Sequence, residues 1–170
     1  MPSFQKYLKL PNLRARWGVV AALVTVGLGT ATAGAGWYQD HEARQRDVAV
    51  RQSLAAATSA AQAIFSYDYR SFDTSVANAR AFVTGQFAAE YAQTTTALKP
   101  NAVSEQAVVR AAVSGSGVVS ATPKRVELLL YLNQYRRNTN ITGEKVDQNR
   151  VVLTMVPVKG TWVVSQAIAI

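Results

Sequence analysis

The chain has 170 residues, 49% of them apolar, with no cysteine, one histidine and 18 Lys+Arg against 10 Asp+Glu, a formal net charge of +8. That length suits one modest domain, and the apolar content is too high for a disordered basic tail. Lack of cysteine excludes a disulfide scaffold, a cysteine nucleophile and a Cys-ligated zinc site.

Residues 19–36 carry no charged side chain and are bracketed by Trp17 on one side and by Trp37 and Tyr38 on the other. Extended to the two tryptophans, the stretch makes roughly 30 Å of helix, the thickness of the bilayer's hydrocarbon core, with aromatics at the headgroup levels. Ahead of it stand Lys6, Lys9, Arg14 and Arg16 with no acid among them, whereas the charges after it are mixed. The positive-inside rule therefore predicts a cytosolic basic segment over 1–16, a transmembrane helix over 17–38 in the plasma membrane, and an extracytoplasmic remainder. The alternative is a cleaved signal peptide, since Ala31-Thr32-Ala33 and Ala33-Gly34-Ala35 resemble cleavage sites. The run exceeds the ~7–15 residues of a signal core, which favours the anchor. Within it, Gly27, Gly29, Ala33, Gly34 and Gly36 form a small-residue strip suited to close contact with another membrane helix.

Beyond residue 38 the balance falls to 14 basic against 10 acidic residues, scattered without a basic run interleaved with aromatics. Nucleic acid is not an expected partner.

No Gly or Pro interrupts the chain between Trp37 and Asp68, and Val50, Leu54, Ala57, Ala61, Ile64 and Phe65 recur at helical steps. This predicts a stalk and first domain helix over 39–66, with residues 67–170 forming the rest of the domain. Tyr67 to Ser71 breaks the period as a turn. Asp73 is the expected N-cap of a second helix carrying Val76, Ala79, Phe82 and Val83. After Gly85 a third helix aligns Phe87, Tyr91, Thr94 and Leu98, with Pro100 as its end. From Glu105 the period becomes two. Four strands are expected, at 107–121 with a bulge at Gly115-Ser116-Gly117, at 125–135, at 150–158 and at 161–168, with Val126, Leu128, Leu130, Leu132, Val151, Leu153 and Met155 facing the helices. The stretch 136–149 reads as a long polar loop and Lys159-Gly160 as a hairpin turn.

Three helices before an antiparallel meander make an α+β domain. The segments AIFSYDYRSFDTSVANARAFVTGQFAAEYA and VVLTMVPVKGTWVVSQ, together with the anchor, resemble the Mce-associated membrane proteins of mycobacteria and related actinobacteria over residues 17–170. The resemblance implies a cone-shaped nuclear-transport-factor-2-like fold, similar to the periplasmic domain of type IV secretion scaffold subunits, with three helices on a curved four-stranded sheet. It also implies an accessory role in an Mce lipid-import complex, with the transporter permease and Mce subunits as partners.

Chemistry is sparse. The lone His41 has no second imidazole with which to share a metal, so no metal or cofactor is expected. Asp68 and Asp73 are a conceivable carboxylate pair of a SnoaL-like enzyme, but a turn residue and a helix cap account for them better. Glu127 alternates out of phase with its apolar neighbours and should pair with Arg125 or Arg150; with Leu129 and Tyr131 it marks a sheet face more apolar than free surface needs, a candidate partner patch. Asn140-Ile141-Thr142 matches a glycosylation sequon but reads as loop. The expected function is a non-enzymatic accessory subunit. The alternative is a lipid or small-ligand binding domain, although the alanines and valines facing the cone interior suggest little space and no polar anchor.

Overall fold

The computed structural model describes residues 41–170, and Arg44–Ile170 form one compact unit. The expected cytosolic segment and membrane span, with Gly27, Gly29, Ala33, Gly34 and Gly36, lie outside the described residues. Among the described residues no helix is long and apolar enough to cross a membrane.

Helix α1 (residues 41–64) turns small side chains inward: Ala49, Ser53, Ala57, Ala60 and Ala61 are buried, with Ile64 at its end. Val50, Leu54 and Phe65 are only half-buried, so the inner line is displaced toward the smallest residues. Lacking bulk, these residues let the helix backbone approach the sheet closely. The fully buried Ser53 hydroxyl donates to the Val50 carbonyl at 3.0 Å, so it needs no outside partner.

Strand β1 (Tyr67–Asp68) follows, then a 3-10 turn (Tyr69–Ser71), α2 (Phe72–Arg80), α3 (Gly85–Ser104) and the long strands β2 (Val108–Thr122), β3 (Arg125–Arg137), β4 (Lys145–Val158) and β5 (Thr161–Ala169). The sheet is an antiparallel meander in the order β1-β2-β3-β4-β5. Helices are carried on one face of it, and the core is the seam between. Val126, Leu128, Leu130 and Leu132 on β3 and Val151, Leu153 and Met155 on β4 are all buried, as the period-two pattern requires.

Several expectations are corrected. The sheet has five strands, because Tyr67 and Asp68 pair with Val109 and Val108 before the turn begins. Ser66 extends that edge, its hydroxyl oxygen accepting the Ala111 N–H at 2.9 Å. Strand β4 begins at Lys145 rather than Arg150, so the polar loop shrinks to 138–144; the added strand residues are mostly charged or polar, with Asp147 ion-paired to both Lys145 and Arg136 of β3, which hides the strand from a hydropathy reading. The bulges of β2 lie between Val113 and Gly115 and between Val118 and Ser120, while Gly115 and Gly117 stay in register with Tyr131 and Leu129.

Asp73 does not cap α2. The 3-10 turn runs straight into the helix, whose N-cap is Ser71, and Asp73 stands in the first turn, where it suits the helix dipole and receives Lys99 Nζ of α3 at 2.7 Å. Pro100 does not end α3 either: it removes one N–H donor, but buried Ala102 holds the next turn on the core, and the Ala107 N–H closes it on the Ala102 carbonyl at 2.8 Å.

Candidate functional site

Two surfaces are candidates: the sheet face turned away from the helices, and a cleft on the helix side. On the outer face, register aligns Gly117, Leu129, Val152 and Ile168 across β2 to β5, and Gly115, Tyr131 and Arg150 one row along. Leu129 and Val152 are half-buried, Tyr131 is 46% exposed and Ile168 48% exposed. Tyr131 lies over Gly115, where a Cβ would stand 3.5 Å from the ring's Cδ2, so the glycine lets the aromatic ring settle on the sheet. Glu127, Leu129 and Tyr131 thus lie on one sheet face, and the register adds Val152 and Ile168 to it. The alternation of β4 would have disclosed Val152. Ile168 was hidden by an irregularity in the β4–β5 pairing between Thr154 and Met155, which reverses the phase of β5.

Glu127 closes one end of this face. Arg125 donates to it through Nη2 at 2.9 Å and Ser120 through its hydroxyl at 3.0 Å. These two hydrogen bonds, Arg125 first, hold its carboxyl below the usual range. A carboxylate held ionised in this way is a poor proton donor. Asp68 is similar: the Arg70 guanidinium, and then the Arg70 backbone N–H at 2.9 Å, lower its pKa. Asp68 and Asp73 are each engaged by a separate cation, Arg70 and Lys99. Among the described residues no group of three His, Cys, Asp or Glu side chains is placed to hold a metal ion. His41 is exposed on α1.

The cleft has a volume of about 400 Å³, within the range of small-ligand sites. The α3 face of Phe87, Tyr91, Thr94 and Leu98 forms one wall, with Phe72 and Val76 of α2 beside it. The end of α1 and Tyr67 close a second side, and Gln134, Val151, Ala167 and Ala169 form the floor. The interior is thus roomier than the sequence suggested, and it carries polar groups. Gln134 is already committed, donating to the Phe65 carbonyl at 3.4 Å and accepting from Asn149 at 2.7 Å. Burial raises the pKa of the Tyr67 and Tyr91 phenols, outweighing the neighbouring Arg136 and Arg80 respectively, so both remain neutral near pH 7.

No protein-family model matches the sequence. The outer membrane protein Rv1973 of Mycobacterium tuberculosis strain H37Rv is 32% identical over 155 residues, covering 87% of this chain and 94% of the relative, and its counterpart in strain CDC 1551 / Oshkosh matches equally. The chain belongs to the family of these mycobacterial proteins. Solved structures place the family member's fold. An IcmL-like type IV secretion system protein of Legionella pneumophila superimposes with TM-score 0.56 at 17% identity, covering 73% of this chain and 91% of that one. CagV, a VirB8 homologue of Helicobacter pylori, gives 0.56 at 11% identity, covering 68% and 93%. The periplasmic domain of DotI gives 0.54 at 17%, covering 68% and 91%. The fold of this chain is therefore similar to that of these VirB8-like domains, with helices on an antiparallel sheet.

Proposed function

We propose that this protein is a non-enzymatic accessory subunit of the cell envelope, which holds partner proteins of an Mce-type lipid import complex. The observation carrying the reading is the outer sheet face: Leu129, Tyr131, Val152 and Ile168 form an apolar strip across three strands, on the side opposite the helices. Apolar side chains gathered in one strip suit contact with another protein surface better than contact with water. The ionised, cation-paired states of Asp68 and Glu127 favour holding over proton-transfer chemistry. A relative named as an outer membrane protein supports an envelope location. The similarity of residues 17–170 to Mce-associated membrane proteins supports the identity of the complex. In this reading the charge-free stretch 19–36 anchors the chain in the plasma membrane with its N-terminus in the cytosol, and the Gly27-to-Gly36 strip packs on a permease helix.

The test is purification in mild detergent through a tag on this chain, followed by identification of bound proteins. Recovery of the permease and Mce subunits supports the reading; recovery of the chain alone contradicts it.

A further inference from the structure

The cleft beneath α3 takes no part in holding a protein on the opposite sheet face. We propose that it binds a neutral, single-chain amphiphile, meaning a long alkyl chain that ends in a hydroxyl or ester rather than in a carboxylate or phosphate.

The space is a consequence of residue choice on β5. Ala167 lies opposite Leu153 and Ala169 opposite Val151, at positions whose side chains face the helix layer. Leucine at either would occupy volume that alanine leaves open, since interiors otherwise close to crystal-like density. Apolar side chains, Phe87 and Leu98 among them, dominate the walls, and alkyl contact there removes hydrocarbon from water.

Charge selects the class. No lysine, arginine or histidine lines the cleft, and the carboxylate among its lining residues is Glu90. That group is exposed and accepts a hydrogen bond from Gln86 at 2.8 Å, which holds the carboxyl at the rim. An anionic head would meet it with no cation among the lining residues to offset it, Arg80 standing outside the lining and Arg136 being paired there with Asp147, a cost that a neutral head avoids. The phenols of Tyr67 and Tyr91 supply neutral hydroxyl donors for a hydroxyl or ester oxygen.

The experiment uses the full chain in detergent micelles, irradiated with a photoreactive tetradecanol or with a photoreactive myristate of the same chain length, and maps the labelled peptides. Tetradecanol should label peptides of α3 and β5 about tenfold more than myristate does at pH 7.5. Ala167→Leu should abolish this labelling. Thr94→Arg, at an exposed helix position, places a cation on the wall and should raise myristate labelling several-fold, which keeps the test independent of any folding cost of the leucine variant. No labelling at the cleft, myristate labelling equal to tetradecanol, undiminished labelling in a folded Ala167→Leu protein, or an unaltered preference in Thr94→Arg would each overturn the proposal. Co-purification of transporter subunits is unaffected by any of these outcomes, so the two readings fail separately.

Discussion

Trp162 on β5 donates its indole N–H to Oε1 of Gln52 on α1 at 3.2 Å, joining two elements 110 residues apart in the chain. Trp162 is buried to 7% exposure, so its polar edge needs this partner while its ring fills the space between helix and sheet. Gln52→Ala should cost about 1 kcal/mol, the net worth of one hydrogen bond, and Trp162→Ala about 3–5 kcal/mol, because a large side chain also leaves a cavity. Urea titration followed by far-UV circular dichroism checks both values. Equal losses would show that the tryptophan's packing contributes nothing beyond its hydrogen bond.

The core seam should be the most sensitive part of the domain. Leu128 is fully buried between β2 and β4, opposite Val118 and Leu153. Leu128→Ala should destabilise the domain by about 2–5 kcal/mol. Leu129→Ala, one residue along on the outer face and half-buried, should cost clearly less in the same titration. A reversal of that order would mean that the two faces have been exchanged.

The outer face should report on partners rather than on folding. Tyr131→Glu and Ile168→Glu change exposed positions and should alter the urea midpoint little, since surface substitutions usually stay within about 0.5 kcal/mol. Their combination should reduce recovery of copurifying subunits by about tenfold or more, as expected when a charge enters an apolar contact. Unchanged recovery from the double variant would remove the sheet face from the account.

Acid should weaken the domain partly through Asp68 and Glu127. Both carboxyls are held below their ordinary range by arginine hydrogen bonds. A depressed folded-state pKa contributes stability that is present above the unfolded value and lost as pH falls through the folded one. The double variant Asp68→Asn, Glu127→Gln should therefore be less stable than wild type at pH 7, with a gap that narrows below the ordinary carboxylate range. Both groups are solvent-screened, so the gap is small and shrinks in added salt. Urea midpoints measured from pH 7 to pH 3 test this, and a gap that widens on acidification would contradict it.

Legibility in the sequence followed the regularity of each element. Strand β3 alternates cleanly from Val126 to Leu132, so its two faces, and with them Glu127, Leu129 and Tyr131, could be assigned from period alone. Strand β5 could not, because the pairing irregularity beside Met155 exchanges its faces: Trp162 and Val164 are buried, yet Ala167 rather than Gln166 continues toward the core. The cleft was invisible for the same reason, since its floor depends on that phase. Tyr67 and Asp68 form too short a strand for any periodic signal, and their pairing is set by β2. Asp73 and Pro100 carry strong local preferences that tertiary contacts override, through Lys99 in one case and buried Ala102 in the other.

The proposed role of this chain is to hold an Mce-type transporter together rather than to transform a substrate. It is tested most directly by affinity purification of the tagged full chain from native membranes in mild detergent, with quantitative identification of bound proteins. The account predicts the permease and Mce subunits in reproducible ratio to the tagged chain, lost in the Tyr131→Glu, Ile168→Glu variant. Wild-type chain recovered without them would contradict it.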